Sequence, residues 1–105
     1  MGNRNTPPGL VLVGFQALSL ADSTALGLSS TNQLADVLDI AVETQPARFR
    51  ADSTAPTLST GVLLEKDVHH RLENMRPLMA NLKFQRTTGT ATVSVQAYRY
   101  AGQGT

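Results

Sequence analysis

An all-β fold, a single-domain β-sandwich or jelly-roll-like barrel, is what this sequence predicts, and three observations carry the prediction. Seven or eight short apolar runs are separated by Gly, Pro, Asn, Asp and Ser turn signals. No segment keeps a 3.6-residue apolar period over a convincing length. The stretch TATVSVQAYRY, residues 90–100, alternates Val93, Val95 and Ala97 with Thr92, Ser94, Gln96, Tyr98 and Tyr100, the pattern of a strand with one face on a core and one on water or a neighbour. A chain of 105 residues has room for one such core.

Residues 1–9, MGNRNTPPG, hold two prolines, two glycines and no apolar side chain beyond the initiator, so they read as a flexible N-terminal arm, with Arg4 free to reach a partner. The domain proper is expected over 10–100. Its first run, LVLVGFQALSL, is apolar on both parities at the start, as in a strand covered on both faces, and then offers Leu18 and Leu20 on one face. Leu10, Val11 and Val13 are therefore candidates for contact with another chain. Residues 21–35 read as a long loop with a short strand, anchored by Leu26 and Leu28. Thr31 or Asn32 could cap a helix over TNQLADVLD, but the segment runs on into Ile40, Val42 and Pro46 at strand spacing. Leu38, Ile40 and Val42 then share the core face, and Asp39, Ala41 and Glu43 the wet one.

Pro46 is read as ending that strand. In the next, Phe49 points inward between Arg48 and Arg50, which point outward. Val62 and Leu64, a polar turn at Glu65-Lys66-Asp67, and then Val68, His70 and Leu72 read as a hairpin. Asn74-Met75-Arg76-Pro77 breaks the pattern, Leu82 and Phe84 resume it, and Thr88-Gly89 turns the chain into the last strand, giving a final hairpin before a frayed tail at 101–105.

The search for chemistry narrows the function. Charged residues make up 16% of the chain and the net charge is +1, which suits neither a disordered chain nor a strongly electrostatic nucleic-acid binder. Without cysteine there are no disulfides, thiolates or Cys-based zinc sites. The apolar runs fall far short of the roughly 20 residues a membrane helix needs, so no membrane partner is expected. His69 and His70 are adjacent, so on a strand they face opposite ways and cannot both ligate one ion; Asp67, His69 and Glu73 share a parity and offer the only route to a metal site. Paired carboxylates would have to come from Asp36, Asp39, Glu43, Asp52, Glu65, Asp67 and Glu73, with Asp39 and Glu43 expected to be solvated. No GxSxG elbow, phosphate loop or dinucleotide fingerprint is present. Lys83, Arg86, Tyr98, Arg99 and Tyr100 could form a basic, aromatic face on the last hairpin, though the small net charge argues against nucleic acid. The expectation is a non-enzyme with no catalytic residue, cofactor or metal.

Residues 46–61, PARFRADSTAPTLSTG, carry a more particular signal: a proline, a small residue, Arg-Phe-Arg, Asp52, then Pro56-Thr57 and Gly61 ahead of a Leu-rich strand. With Leu82-Lys83-Phe84, Thr88-Gly89-Thr90-Ala91-Thr92-Val93 and the terminal Tyr98 and Tyr100, the stretch resembles a group of small proteins encoded among the structural genes of tailed bacteriophages. The matches span roughly residues 37–100, and Asp52-Ser53 stands where the group often has Asp-Gly. The resemblance implies a virion structural protein that is made in the host cytoplasm and located on the particle. The leading expectation is a capsid decoration or cement protein, a homotrimer that clamps major capsid subunits, with Arg48, Arg50, Asp52, Tyr98 and Tyr100 joining Arg4, Leu10, Val11 and Val13 as interface candidates. A neck or tail accessory subunit is the near alternative. A carbohydrate- or host-surface-binding module, using Tyr98 and Tyr100 to stack on sugar rings, is the reading from another class.

Overall fold

The computed structural model describes residues 9–101. Arg4 and all of the expected arm and tail except Gly9 and Ala101 lie outside that range. Among the described residues there are eight strands: β1 (Leu10–Leu20), β2 (Leu26–Gly27), β3 (Val37–Glu43), β4 (Ala47–Arg50), β5 (Val62–Leu64), β6 (His69–Leu72), β7 (Lys83–Arg86) and β8 (Ala91–Tyr100). They form two antiparallel four-stranded sheets, ordered β1-β8-β3-β6 and β2-β7-β4-β5. The first strand pairs with the last, β2 with β7, β3 with β6 and β4 with β5; the further pairs β3·β8 and β4·β7 join these ribbons into sheets. A long antiparallel ribbon has thus been rolled up on itself, which is the jelly-roll arrangement.

The alternating residues behave as their parity demands. Leu18 and Leu20 of β1, Leu38, Ile40 and Val42 of β3, and Ala91, Val93, Val95 and Ala97 of β8 face Ala47, Leu64 and Phe84 of the other sheet, and all are buried. Phe49 packs against this core, its ring tilted on Phe84 with centroids 6.4 Å apart. Leu28, Met75, Met79 and Leu82 close the ends from loops. The helical alternative at TNQLADVLD is realised only as a 3-10 turn at Asn32–Leu34 with no side-chain cap, because Ala35 is already extended and feeds β3. A second 3-10 segment, Arg76–Asn81, starts after Asn74 with Pro77 in its first turn and buries Met79.

Two expected hairpins are not formed. β5 pairs with β4 and β6 with β3, so the Glu65–Asp67 turn carries the chain between sheets; Asp67 takes a positive φ of 63° and donates its N–H to Val42 O at 2.8 Å. The last turn likewise passes from β7 in one sheet to β8 in the other, so Lys83 and Arg86 do not share a face with Tyr98 and Tyr100. Alternation reports which side of a strand is buried, and in a sandwich that signal is the same whichever sheet the strand joins. Pro46 also differs from its reading: β3 ends at Glu43, Thr44 reverses the chain at φ 73°, and Pro46 leads into β4.

Asp36 fastens the end where β3 and β8 meet. Its N–H donates to Tyr98 O at 2.7 Å and its carbonyl accepts from Met75 N at 2.8 Å. Its carboxylate, buried, accepts from Tyr100 N at 3.0 Å and pairs with Arg76 Nε at 3.3 Å. Replacing the side chain leaves the Tyr100 N–H without this acceptor and Arg76 without its carboxylate, while the backbone bonds to Tyr98 and Met75 remain. Asp36→Ala is expected to lower the unfolding free energy by roughly 1–3 kcal/mol in urea denaturation, the usual cost of orphaning a hydrogen bond to a charged group.

Candidate functional site

The two sheets present very different outer faces. In the β4–β5 connection, residues 51–61, the chain folds back on its own sheet. Arg48, on the outer side of β4, donates from Nε to Leu58 O and from Nη1 to Gly61 O, both at 3.2 Å. Pro56 is buried beneath the loop, and Thr57 closes a turn with Thr60 through both backbone and hydroxyl. Gly61 sits at φ 127°, where a Cβ would lie 3.1 Å from Arg48 Cβ, Phe49 O and Pro56 Cβ, so only glycine fits. The left-handed position of this corner therefore falls on Gly61, and none falls at Asp52-Ser53.

Arg50 grips Asp52 through both guanidinium and carboxylate, with Nε 3.0 Å from Oδ1. That hydrogen bond, more than charge attraction, holds the Asp52 carboxyl below its ordinary value. A depressed carboxyl adds stability above its unfolded pKa and loses it as pH falls through the folded one, so the pair opens only at acid below the usual carboxylate range. Asp52 is exposed and Arg50 half-exposed, and the effect on folding is small.

The outer face of the β1-β8-β3-β6 sheet has no such cover among the described residues. Register places Leu10 opposite Tyr100, Leu12 opposite Tyr98 and Phe15 opposite Gln96, while Val37, Asp39 and Ala41 of β3 lie beyond Tyr98, Gln96 and Ser94. Leu12 and Phe15 are 55% and 60% exposed. Tyr98 donates to Gln96 Oε1 at 3.2 Å and Tyr100 to Asn74 Oδ1 at 3.3 Å, which fixes both phenols. Across β3 and β6, Arg71 holds both oxygens of Asp39, at 2.8 and 3.1 Å, and His69 Nε2 lies 4.0 Å from Oδ1. Asp39 is thus an ion-paired group with 16% of its side chain exposed, where the sequence suggested a solvated one. Between Phe15 and His69 the face dips into an open saddle of about 160 Å³ lined by Phe15, Asp39, Ala41, His69, Ser94 and Gln96.

β1 is also the edge of this sheet, with β8 on one side and no strand on the other among the described residues. A bulge at Val13 shifts the register between Leu12 and Gly14. Gly14 makes room there for Asn32, since a Cβ would come within 2.4 Å of Asn32 Oδ1 and displace that side chain. Below the bulge Gln16 reaches inward and ties the 27–32 loop to the strand, accepting from Ser29 N at 2.8 Å and Asn32 Nδ2 at 3.1 Å. From Gly14 to Leu20 the edge is unbroken.

The interface candidates therefore divide. Leu10, Tyr98 and Tyr100 share one outer face; Val11 pairs with Arg99, and Val13 turns against the core. Arg48, Arg50 and Asp52 belong to the other sheet, where Arg48 serves its own loop. His69 and His70 face opposite ways as expected, His70 Nε2 lying 3.1 Å from Glu65 O. Among the described residues no three His, Asp or Glu side chains could hold a metal, and no helix is long and apolar enough to cross a membrane. The grouping of Phe15 with Asp39, His69 and Gln96 was not legible beforehand, because parity put each outward but said nothing of which strands lie side by side. Comparison with protein-family models, with curated proteins and with solved structures finds no match to this chain.

Arg48 and Arg50 should respond differently to truncation. Arg48→Ala is expected to cost about 1–2 kcal/mol in chemical denaturation and to expose residues 51–61 to limited proteolysis, since two loop carbonyls lose a charged donor. Arg50→Ala should leave the melting temperature nearly unchanged while returning the Asp52 carboxyl, followed by NMR titration, toward its ordinary pKa.

Proposed function

We propose that this chain is a non-enzymatic structural protein of a tailed-bacteriophage particle, a capsid decoration or cement subunit that attaches through the free edge of β1. The observation that carries the reading is that edge: a strand of 11 residues whose outer flank shows Leu10, Leu12 and Phe15, with no lysine, arginine or proline along it. Exposed edges are ordinarily blunted by charge, proline, bulges or a covering segment, because their unpaired N–H and C=O groups accept a strand from another chain. Here the bulge at Val13 protects one point and the 27–32 loop leans on Gly14 and Gln16, and among the described residues no strand pairs with the outer side of Gly14–Leu20. An added strand would gain main-chain hydrogen bonds and cover the apolar flank, which is how sheets recruit extended peptides. The likeness of residues 46–61 to virion proteins supplies the setting, and the fold is one that viral capsid domains and lectins share, an analogy of architecture.

In this reading the loop over β4 is scaffold, and the subunit sits on the capsid surface with the major capsid protein as partner. Self-association into trimers would match a capsid three-fold site. The same edge would serve a neck or tail accessory subunit equally well, and only the partner differs.

The test is binding to phage heads that lack the protein. Leu12→Lys with Ala17→Lys places on β1 the charges that natural edges use, at two exposed positions on either side of the bulge. The double variant should keep its melting temperature to within a few degrees and lose about tenfold or more in affinity for heads by co-sedimentation. Saturation of heads at the wild-type concentration would remove the edge from the account. Sedimentation equilibrium at micromolar concentration should give a trimer, and a clean monomer would count against self-association.

A further inference from the structure

We infer that the saddle on the outer face of the β1-β8-β3-β6 sheet binds a neutral hexopyranose, as the terminal sugar of a surface glycan. The site is assembled from all four strands: Phe15 from β1, Ser94 and Gln96 from β8, Asp39 and Ala41 from β3, and His69 from β6. Its about 160 Å³ suits one sugar ring rather than an extended peptide. Ala41 and Ser94 keep the floor low, while Phe15, 60% exposed, stands as an unshielded wall on one side.

The polar groups match the needs of a sugar. A pyranose hydroxyl both donates and accepts, and its ring presents a patch of C–H bonds that packs on the negative face of an aromatic ring. Gln96 Oε1 is already occupied by the Tyr98 hydroxyl at 3.2 Å, so the amide is oriented and its Nε2 is left as a donor. The Ser94 hydroxyl has no hydrogen-bond partner among the described residues and offers one donor and two acceptor positions. Asp39 is clamped by Arg71 through both oxygens, which fixes the carboxylate in place and leaves lone pairs to accept from hydroxyls. A donor, an acceptor and a hydroxyl that does both thus line a recess with one aromatic wall, held rigid by strand backbone on every side. Arg71 is committed to Asp39, and among the described residues the saddle's lining holds no arginine or lysine to meet an anionic group, which favours neutral sugars over sulfated or carboxylated ones.

This inference does not rest on the virion reading. A strand added at β1 lies in the plane of the sheet, whereas the saddle opens perpendicular to it, so a subunit docked by its edge would still present the saddle outward.

The experiment is an NMR titration of the isotopically labelled chain with methyl glycosides of glucose, galactose and mannose, and with N-acetylneuraminic acid as the anionic control. A glycan array carrying the same hexoses as terminal residues tests the polymer-bound source. At least one neutral glycoside, free or array-bound, should be recognised, with amide shifts concentrated at Phe15, Ala41, Ser94 and Gln96. Phe15→Ala, at an exposed position, should weaken that binding about tenfold or more without changing the melting temperature. Ala41→Leu, which fills the floor and keeps the aromatic wall, should abolish it. Absence of any neutral-hexose recognition, equal recognition of the anionic sugar, or binding that survives both substitutions would overturn the assignment. Because Ala17 lies opposite Ser94, the comparison uses Leu12→Lys alone: loss of binding to heads in that variant with sugar binding retained, or the reverse in Ala41→Leu, separates the fate of this site from that of the edge.

Discussion

The pairing of the strands is the constraint on which everything else depends. Among the described residues, β4·β5 is the one pair of consecutive strands that lie side by side; every other connection passes from one sheet to the other. The remaining pairs have to wait for residues far along the chain, and closing such loops costs entropy before any contact rewards it. The β4–β5 hairpin is therefore the natural starting point of the roll, and its 11-residue connection is longer than a tight turn. Arg48 makes that length tolerable by donating to Leu58 O and Gly61 O and drawing the loop down onto the sheet. Gly61 supplies the backbone conformation this requires. The stretch that looked most like a functional loop is in this account the device that holds the tip of the ribbon.

That device has a consequence for function. The loop covers the outer side of β4 in its own sheet, whereas among the described residues no segment covers the outer face of the opposite sheet. There the exposed Leu12 and Phe15 lie beside the ordered Tyr98 and Tyr100 and the Asp39–Arg71 pair that ties β3 to β6. Exposed Leu12 and Phe15 add little to the buried core, and the proposed attachment draws on this apolar patch beside the β1 edge. The edge and the face are geometrically separate resources, one in the sheet plane and one normal to it.

Much of this was legible in the sequence, and the parts that were not share one cause. Strand identity, the inward sets Leu38, Ile40 and Val42 or Val93, Val95 and Ala97, and the opposite orientations of His69 and His70 all follow from the two-residue period. Pairing does not. The alternation of Val62 and Leu64 followed by His70 and Leu72 is satisfied as well by two strands in different sheets as by one hairpin, and the sandwich uses the former. The same gap hid the neighbours of Asp39: its partner Arg71 is 32 residues away, and nothing in either strand announces the register. Asp36 was equally silent, a lone carboxylate in sequence that the fold surrounds with Tyr100 N and Arg76.

The central claim, that β1 is an open edge which another chain completes, is tested most directly by residue-resolved amide hydrogen exchange along Gly14–Leu20. In the free protein, amides facing β8 should exchange slowly and those facing away should exchange fast, giving an alternating pattern through the unbroken part of the edge. On saturated phage heads the fast set should become protected while the slow set is unchanged. Fast amides that stay fast on fully occupied heads would show that the chain is held by some other surface, and the edge would then have no part in attachment.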